Sequence, residues 1–182
     1  KPTTVRILQK KLNAQLVGEF IDPIPRKVLN TRECSSKHQK VEAQQWILQQ
    51  YVKKNNIISE MKGVIVVDRT WIDALIYSRL YGKPVFELIS EEAAIHEWHL
   101  GLYVFLYADE IIIKQRLQKK FDISEKSWQV SWENYIHDLL NLTIKLADEL
   151  SCLSINTSEL ELDHVCNIIE KQYSKTFEKV NL

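Results

Sequence analysis

The chain has 182 residues, 45% apolar and 26% charged, enough to bury a substantial core as a single globular domain spanning 1–182. Its 24 Lys and Arg balance 24 Asp and Glu, so no bulk positive field draws it to nucleic acid or to a membrane surface. No apolar run reaches membrane-spanning length, no secretory h-region opens the chain, and three cysteines (Cys34, Cys152, Cys166) show no C-x-x-C spacing, so a reduced, cytoplasmic protein is expected.

Val5, Leu8, Leu12 and Leu16 step by three or four and predict an amphipathic helix over about residues 3–14. Gly18-Glu19-Phe20 is short and extended in character, and Asp22-Pro23-Ile24-Pro25 forbids helix. A long helical pattern covers about 38–61, with Val41, Leu48, Tyr51 and Val52 on its buried side, and Lys62-Gly63 ends it in the manner of a glycine cap. The run Val64-Ile65-Val66-Val67 lacks polar alternation and suits a parallel strand covered on both faces.

Helix is predicted again over 71–81, a second apolar strand over 102–106 and a helix over 111–120. His96 and His99 lie three apart, but no further Cys or His cluster completes a tetrahedral set, so they read as a polar helix end. Trp128, Trp132, Tyr135, Leu139 and Leu146 give 124–150 a helical spacing. A last short strand at 152–155 and a final helix at 160–173 precede a frayed tail. Strands alternating with helices through short links predict a three-layer α/β/α fold with a parallel sheet.

Ligands of open parallel sheets bind beyond the carboxyl ends of the strands. That rule selects Glu19 and Asp22, Asp68 and Arg69, and Asn156 and Thr157. Asp109 and Glu110 also follow a strand, but acids at a helix start are favoured by capping and dipole alone. Asp68-Arg69 is the strongest pair, because arginine offers bidentate contacts to phosphate oxygens and aspartate can hold Mg2+, usually through its waters. The competing reading is a structural ion pair or a helix cap.

Lys114-Gln115-Arg116-Leu117-Gln118-Lys119-Lys120 places Arg116, Lys119 and Lys120 on one helix side. Most such runs are solvated faces, yet a mobile basic segment around 114–126 is also how phosphotransferases close over phosphates. Trp128 and Trp132 fall on an apolar stripe and read as core, whereas Trp46 and Trp71 stand near the proposed site. Gln44, Gln45, Gln49 and Gln50 could read a base edge by paired amide contacts, or be ordinary exposed helix residues. Only four glycines are present, which excludes an internal glycine-rich phosphate loop.

Taken in order, these pieces resemble the thymidylate kinase and deoxynucleoside kinase group of P-loop phosphotransferases. Val64-Ile65-Val66-Val67-Asp68-Arg69-Thr70, then Ala74 and Tyr77, looks like that group's strand, Asp-Arg pair and following helix. Leu102-Tyr103-Val104-Phe105-Leu106-Tyr107-Ala108-Asp109-Glu110, then Arg116-Leu117, looks like its fourth strand and lid helix. Ile155-Asn156-Thr157 is similar to its closing strand, and Lys1-Pro2-Thr3-Thr4-Val5 to the end of a Walker A motif. Two departures stand out. Pro2 occupies the place of the magnesium-binding hydroxyl, and the glycine loop and its strand are expected upstream of Lys1 unless the sheet has been rebuilt.

The resemblance implies transfer of the γ-phosphoryl group of ATP, with Mg2+, to a nucleotide or nucleoside. Lys1 would hold phosphates, Thr3 or Thr4 would stand near the metal with Asp68, and Arg69 would grip the acceptor or transferred phosphate. Arg116 and Lys120 would act from the lid, and Glu19 would take the acceptor hydroxyl's proton, with Asp22 its rival. Gln45, Gln49 and Trp71 are the candidates to line the acceptor. Glutamines stand where the group's nucleotide kinases place an arginine, which leans toward a nucleoside or an unusual acceptor. The expected partners are ATP and that acceptor, with a homodimer allowed and neither nucleic acid nor membrane. The alternative is a catalytically silent P-loop relative serving as a nucleotide-binding or interaction module.

Overall fold

The computed structural model describes residues 2–31, 35–121 and 130–177, without the side chains of 2, 3, 120, 121 and 130–132. The chain divides into two compact units, Lys1–Gly101 and Leu102–Leu182. Each contains a parallel pair of strands flanked by helices.

The first unit opens with α1 (Pro2–Lys11), which packs on β1 (Gln15–Val17) and β2 (Ile65–Val67). α1 stops earlier than the leucine spacing suggests because Asn13 turns left-handed, at φ 46°. Asn13 N–H then donates to the Lys10 carbonyl and Ala14 N–H to that of Gln9, closing the helix end by a Schellman motif. β1 therefore begins at Gln15 and lies ahead of Glu19, which falls in the loop beyond it. β1 pairs with β2 in parallel register, Leu16 opposite Val66. All three β2 residues are half-buried rather than enclosed, and β1 is their one strand partner among the described residues.

After the short α2 (Arg26–Leu29), α3 (Lys37–Glu60) begins at a capping box in which Ser36 and Gln39 satisfy each other's backbone N–H. α3 ends without the expected glycine cap. Met61 at the C-cap is extended, and Gly63 instead uses its positive φ of 85° in the turn into β2. A second capping box, Thr70 with Asp73, starts α4 (Trp71–Leu80). α5 (Lys83–Ala94) follows Gly82, whose φ of 102° only glycine adopts without strain. Pro84 in its first turn and Val85, Ile89 and Ala93 on its buried face are its local signals. His96 and His99 lie beyond its end, in the link to the second unit, rather than on a helix.

α3, α4 and α5 pack on one another around Leu48, Ile72 and Ile89. Leu48 is wholly buried. Leu48→Ala is expected to cost about 2–5 kcal/mol in urea unfolding, through lost transfer energy plus the residual cavity.

In the second unit, β3 (Val104–Tyr107) and β4 (Leu153–Asn156) pair in parallel, Leu106 opposite Ile155. α6 (Glu110–Phe121) and α7 (Val130–Glu149) are joined by Lys114 to Glu133 at 3.0 Å and by Glu110 to His137 at 2.6 Å. Ser151, left-handed at φ 52°, closes α7 as Asn13 closes α1. α8 (Leu162–Phe177) buries Val165, Cys166 and Ile169. No helix among the described residues is long and apolar enough to cross a membrane.

Candidate functional site

The loops leaving β1 and β2 meet. The Glu19 carboxylate accepts from Arg69 Nε at 3.0 Å, and Asp73 Oδ1, one helical turn on, lies 3.4 Å from Nη1 of the same guanidinium. Parallel pairing brings these groups together. Asp68 N–H donates to the Val17 carbonyl and extends the ladder past both strands, so the chain leaves β1 and β2 at one edge.

Arg69 is left-handed, with φ 63°. For a residue with a Cβ that conformation costs about 1–2 kcal/mol, and surroundings must hold it. Thr70 beside it is committed to capping α4, and Lys54 holds the Arg69 carbonyl. Lys54 Nζ donates to the carbonyl oxygens of Asp68 at 2.8 Å and Arg69 at 3.2 Å, while lying 5.0 Å above the Tyr51 ring. Only 2% of Lys54 is exposed.

Burial dominates the electrostatics here. It works against the Arg69 charge, but Asp73, Tyr77 and Glu19 outweigh it, so the guanidinium is held charged above its ordinary range. Burial raises the Asp73 carboxyl, against Arg69, the Thr70 N–H and Lys54. It lowers the Lys54 ammonium to about 8, with Asp68, Asp73 and Glu19 opposing. The buried Tyr51 hydroxyl is pushed well above its ordinary value by the same cause.

Asp22, the rival of Glu19, is occupied elsewhere. Its carboxylate pairs with Lys53 and accepts from Gln50 Nε2 at 3.0 Å, while its own N–H donates to Gln50 Oε1 at 2.9 Å. Hydrogen bonds from Lys53 and Gln50 lower its pKa. The Asp68 carboxylate is half-exposed and makes no hydrogen bond among the described residues, so its oxygens suit a hydrated cation. No group of three or more His, Cys, Asp or Glu that could enclose a metal occurs among the described residues.

The glutamines divide. Gln45 Nε2 donates to Glu92 on α5 at 3.0 Å, Gln49 is exposed, Gln50 holds Asp22, and buried Gln44 Oε1 has no partner among the described residues. Trp71 stacks on Trp98 at 5.3 Å, and Trp46 packs on Phe20 beside Glu19 at 5.5 Å. A cavity of about 270 Å³ lies between α2 and α3, but none of Glu19, Asp68 and Arg69 lines it.

In the second unit, Arg116 Nη1 donates to Thr157 Oγ1 at 3.2 Å and Nη2 to the Thr157 carbonyl at 2.9 Å. α6 is thereby tied to the end of β4. Asp109 accepts from Asn156 at 2.9 Å, and its N–H donates to Ser158, fixing the loops after β3 and β4 to each other. Thr4 is half-buried in the first turn of α1. Lys1, Trp128 and the 122–126 part of the lid lie outside the described residues, as do the side chains of Thr3, Lys120 and Trp132.

Sequence reasoning named Glu19, Asp68 and Arg69 but not Lys54 or Asp73. Lys54 had a signal, a lysine three residues past Tyr51 on the apolar stripe of α3. Asp73 had one too, as the acid at the third position after Thr70.

Residues 1–135 match the family described as AAA domain, and the chain belongs to that family. Its fold resembles that of a deoxynucleoside kinase. Among solved structures, it is similar to deoxyadenosine kinase from M. mycoides with bound dATP, at 16% identity and a TM-score of 0.68, covering 94% of this chain and 92% of that one. The same kinase with the products dCMP and a flexible dCDP bound gives 15% identity and a TM-score of 0.65, covering 96% of this chain and 93% of that one. The likeness shows the fold, so the three-layer α/β/α class expected from the sequence holds. No curated protein sequence matches the chain significantly.

Proposed function

We propose that this protein transfers the γ-phosphoryl group of ATP to a nucleoside or nucleotide, with a deoxynucleoside the favoured acceptor. The observation that carries the proposal is the Glu19–Arg69 pair at the shared carboxyl edge of β1 and β2. One group there takes a proton and its neighbour steadies anionic oxygen. The deoxyadenosine kinase fold supports the reading.

When bound, ATP with Mg2+ supplies the phosphoryl group and a leaving ADP. Asp68 would hold the cation through its waters, and Thr3 or Thr4, with Lys1, would serve the phosphates. Glu19 accepts the proton of the acceptor hydroxyl as its oxygen bonds to phosphorus. Arg69 orients Glu19 through Nε and offers its remaining N–H groups to the oxygens on which charge spreads. Arg116 ties α6 to the end of β4, and Lys120 is the lid's candidate for the phosphates. Gln45, Gln49 and Trp71 line the acceptor side. Expected turnover with nucleosides exceeds that with thymidylate, since the α3 face carries glutamines in place of an arginine.

A second reading, a silent relative that binds nucleotide without transfer, is favoured by Pro2 at the place of the metal-binding hydroxyl. Incubating the full natural chain with ATP, Mg2+ and a panel of nucleosides and nucleoside monophosphates separates the two. Phosphorylation of a panel member supports transfer. Calorimetric binding of ATP without any turnover supports the silent relative.

A further inference from the structure

We propose that Gln50 and Lys54 are positioning residues: one turn of α3 that clamps both loops of the site and sets Glu19 against Arg69. The inference rests on the phosphotransfer reading and adds to it the device that assembles the pair.

The two side chains are i and i+4 on one helix face, and their exposures are only 1% and 2%. Polar side chains so deep are retained when their hydrogen bonds are used, and here the hydrogen bonds of both lead to the site loops. Gln50 makes a two-way amide clamp on Asp22, donating to its carboxylate and accepting from its N–H. That fixes the loop after β1, three residues beyond Glu19. Lys54 donates to the carbonyls of Asp68 and Arg69 and so fixes the loop after β2, including the left-handed residue. Lys53 adds its ion pair to Asp22 from the same turn. Neither loop has regular structure at these positions, so the 3.0 Å contact between Glu19 and Arg69 depends on a common support. A rigid helix supplies it.

The test uses the full natural chain as wild type, Lys54→Met, Lys54→Arg and Gln50→Leu. Steady-state transfer is measured with ATP, Mg2+ and the best nucleoside, and the Arg69 Nε–H resonance is followed by 15N NMR. Lys54→Met and Gln50→Leu are expected to lower kcat about 100-fold, the effect of a misplacement of about 1 Å, and to shift the Arg69 resonance. Lys54→Arg keeps donors and charge and regains part of the turnover. An unchanged Arg69 resonance in both folded Lys54→Met and folded Gln50→Leu overturns the clamp. If wild type transfers no phosphoryl group, the proposed function fails and the resonance alone decides the clamp. Should one variant not fold, the other carries the same comparison.

Discussion

Arg69→Ala should lower phosphoryl transfer by about 10³-fold or more while leaving a cooperatively folding protein. On the proposed function the loss is large because the guanidinium would do two things at once: its Nε–H orients Glu19, and the N–H groups not held by Asp73 would steady anionic oxygen. Folding survives because the side chain is 41% exposed, so its removal opens no core cavity. Asp73 loses one partner but keeps the Thr70 N–H. The backbone provides an internal control. Alanine at φ 63° retains the left-handed strain and glycine does not, so Arg69→Gly should be more stable than Arg69→Ala by about 1 kcal/mol in urea unfolding, with equal loss of transfer. Equal stabilities would mean that the left-handed backbone is not strained.

Glu19→Gln is the second large effect, a fall in kcat of about 10²–10⁴-fold. The amide oxygen still accepts from Arg69 Nε, so the arginine stays in place and only the proton acceptor is lost. Asp22→Asn separates the rival roles. Asp22 is tied to Lys53 and Gln50 and held ionised by them, so its loss loosens a loop without removing a base. Its effect on kcat should be clearly smaller. If Asp22→Asn proves as damaging as Glu19→Gln under steady-state kinetics, the two carboxylates have been assigned the wrong way round.

Much of this arrangement is legible in the sequence, and the failures have physical causes. The strand at 65–67 was visible because four β-branched residues end in an acid and an arginine, and local propensity and topology agree there. Helix ends were harder. The leucine spacing carries α1 past Lys11, but Asn13 makes a left-handed turn that hydrophobic periodicity cannot express. α5 carries no predicted element in the sequence, although Pro84 in its first turn marks a helix start. Glu19 was placed by the rule for strand ends, though the strand itself lies at Gln15–Val17. The clamp was least legible. Gln50 looks like a solvated helix residue and Lys54 shows only its place on the apolar stripe until the loops they hold, 28 and 14 positions away, are known to pass beside them.

The most direct test of the account is transfer of label from γ-labelled ATP to deoxyadenosine and deoxycytidine by the full natural chain, wild type beside Arg69→Ala. Labelled deoxynucleoside monophosphate from wild type, and at least about 10³-fold less from the variant, is the predicted result. Turnover that Arg69→Ala leaves unchanged, or no labelled product from any nucleoside or nucleotide despite bound ATP, would contradict it.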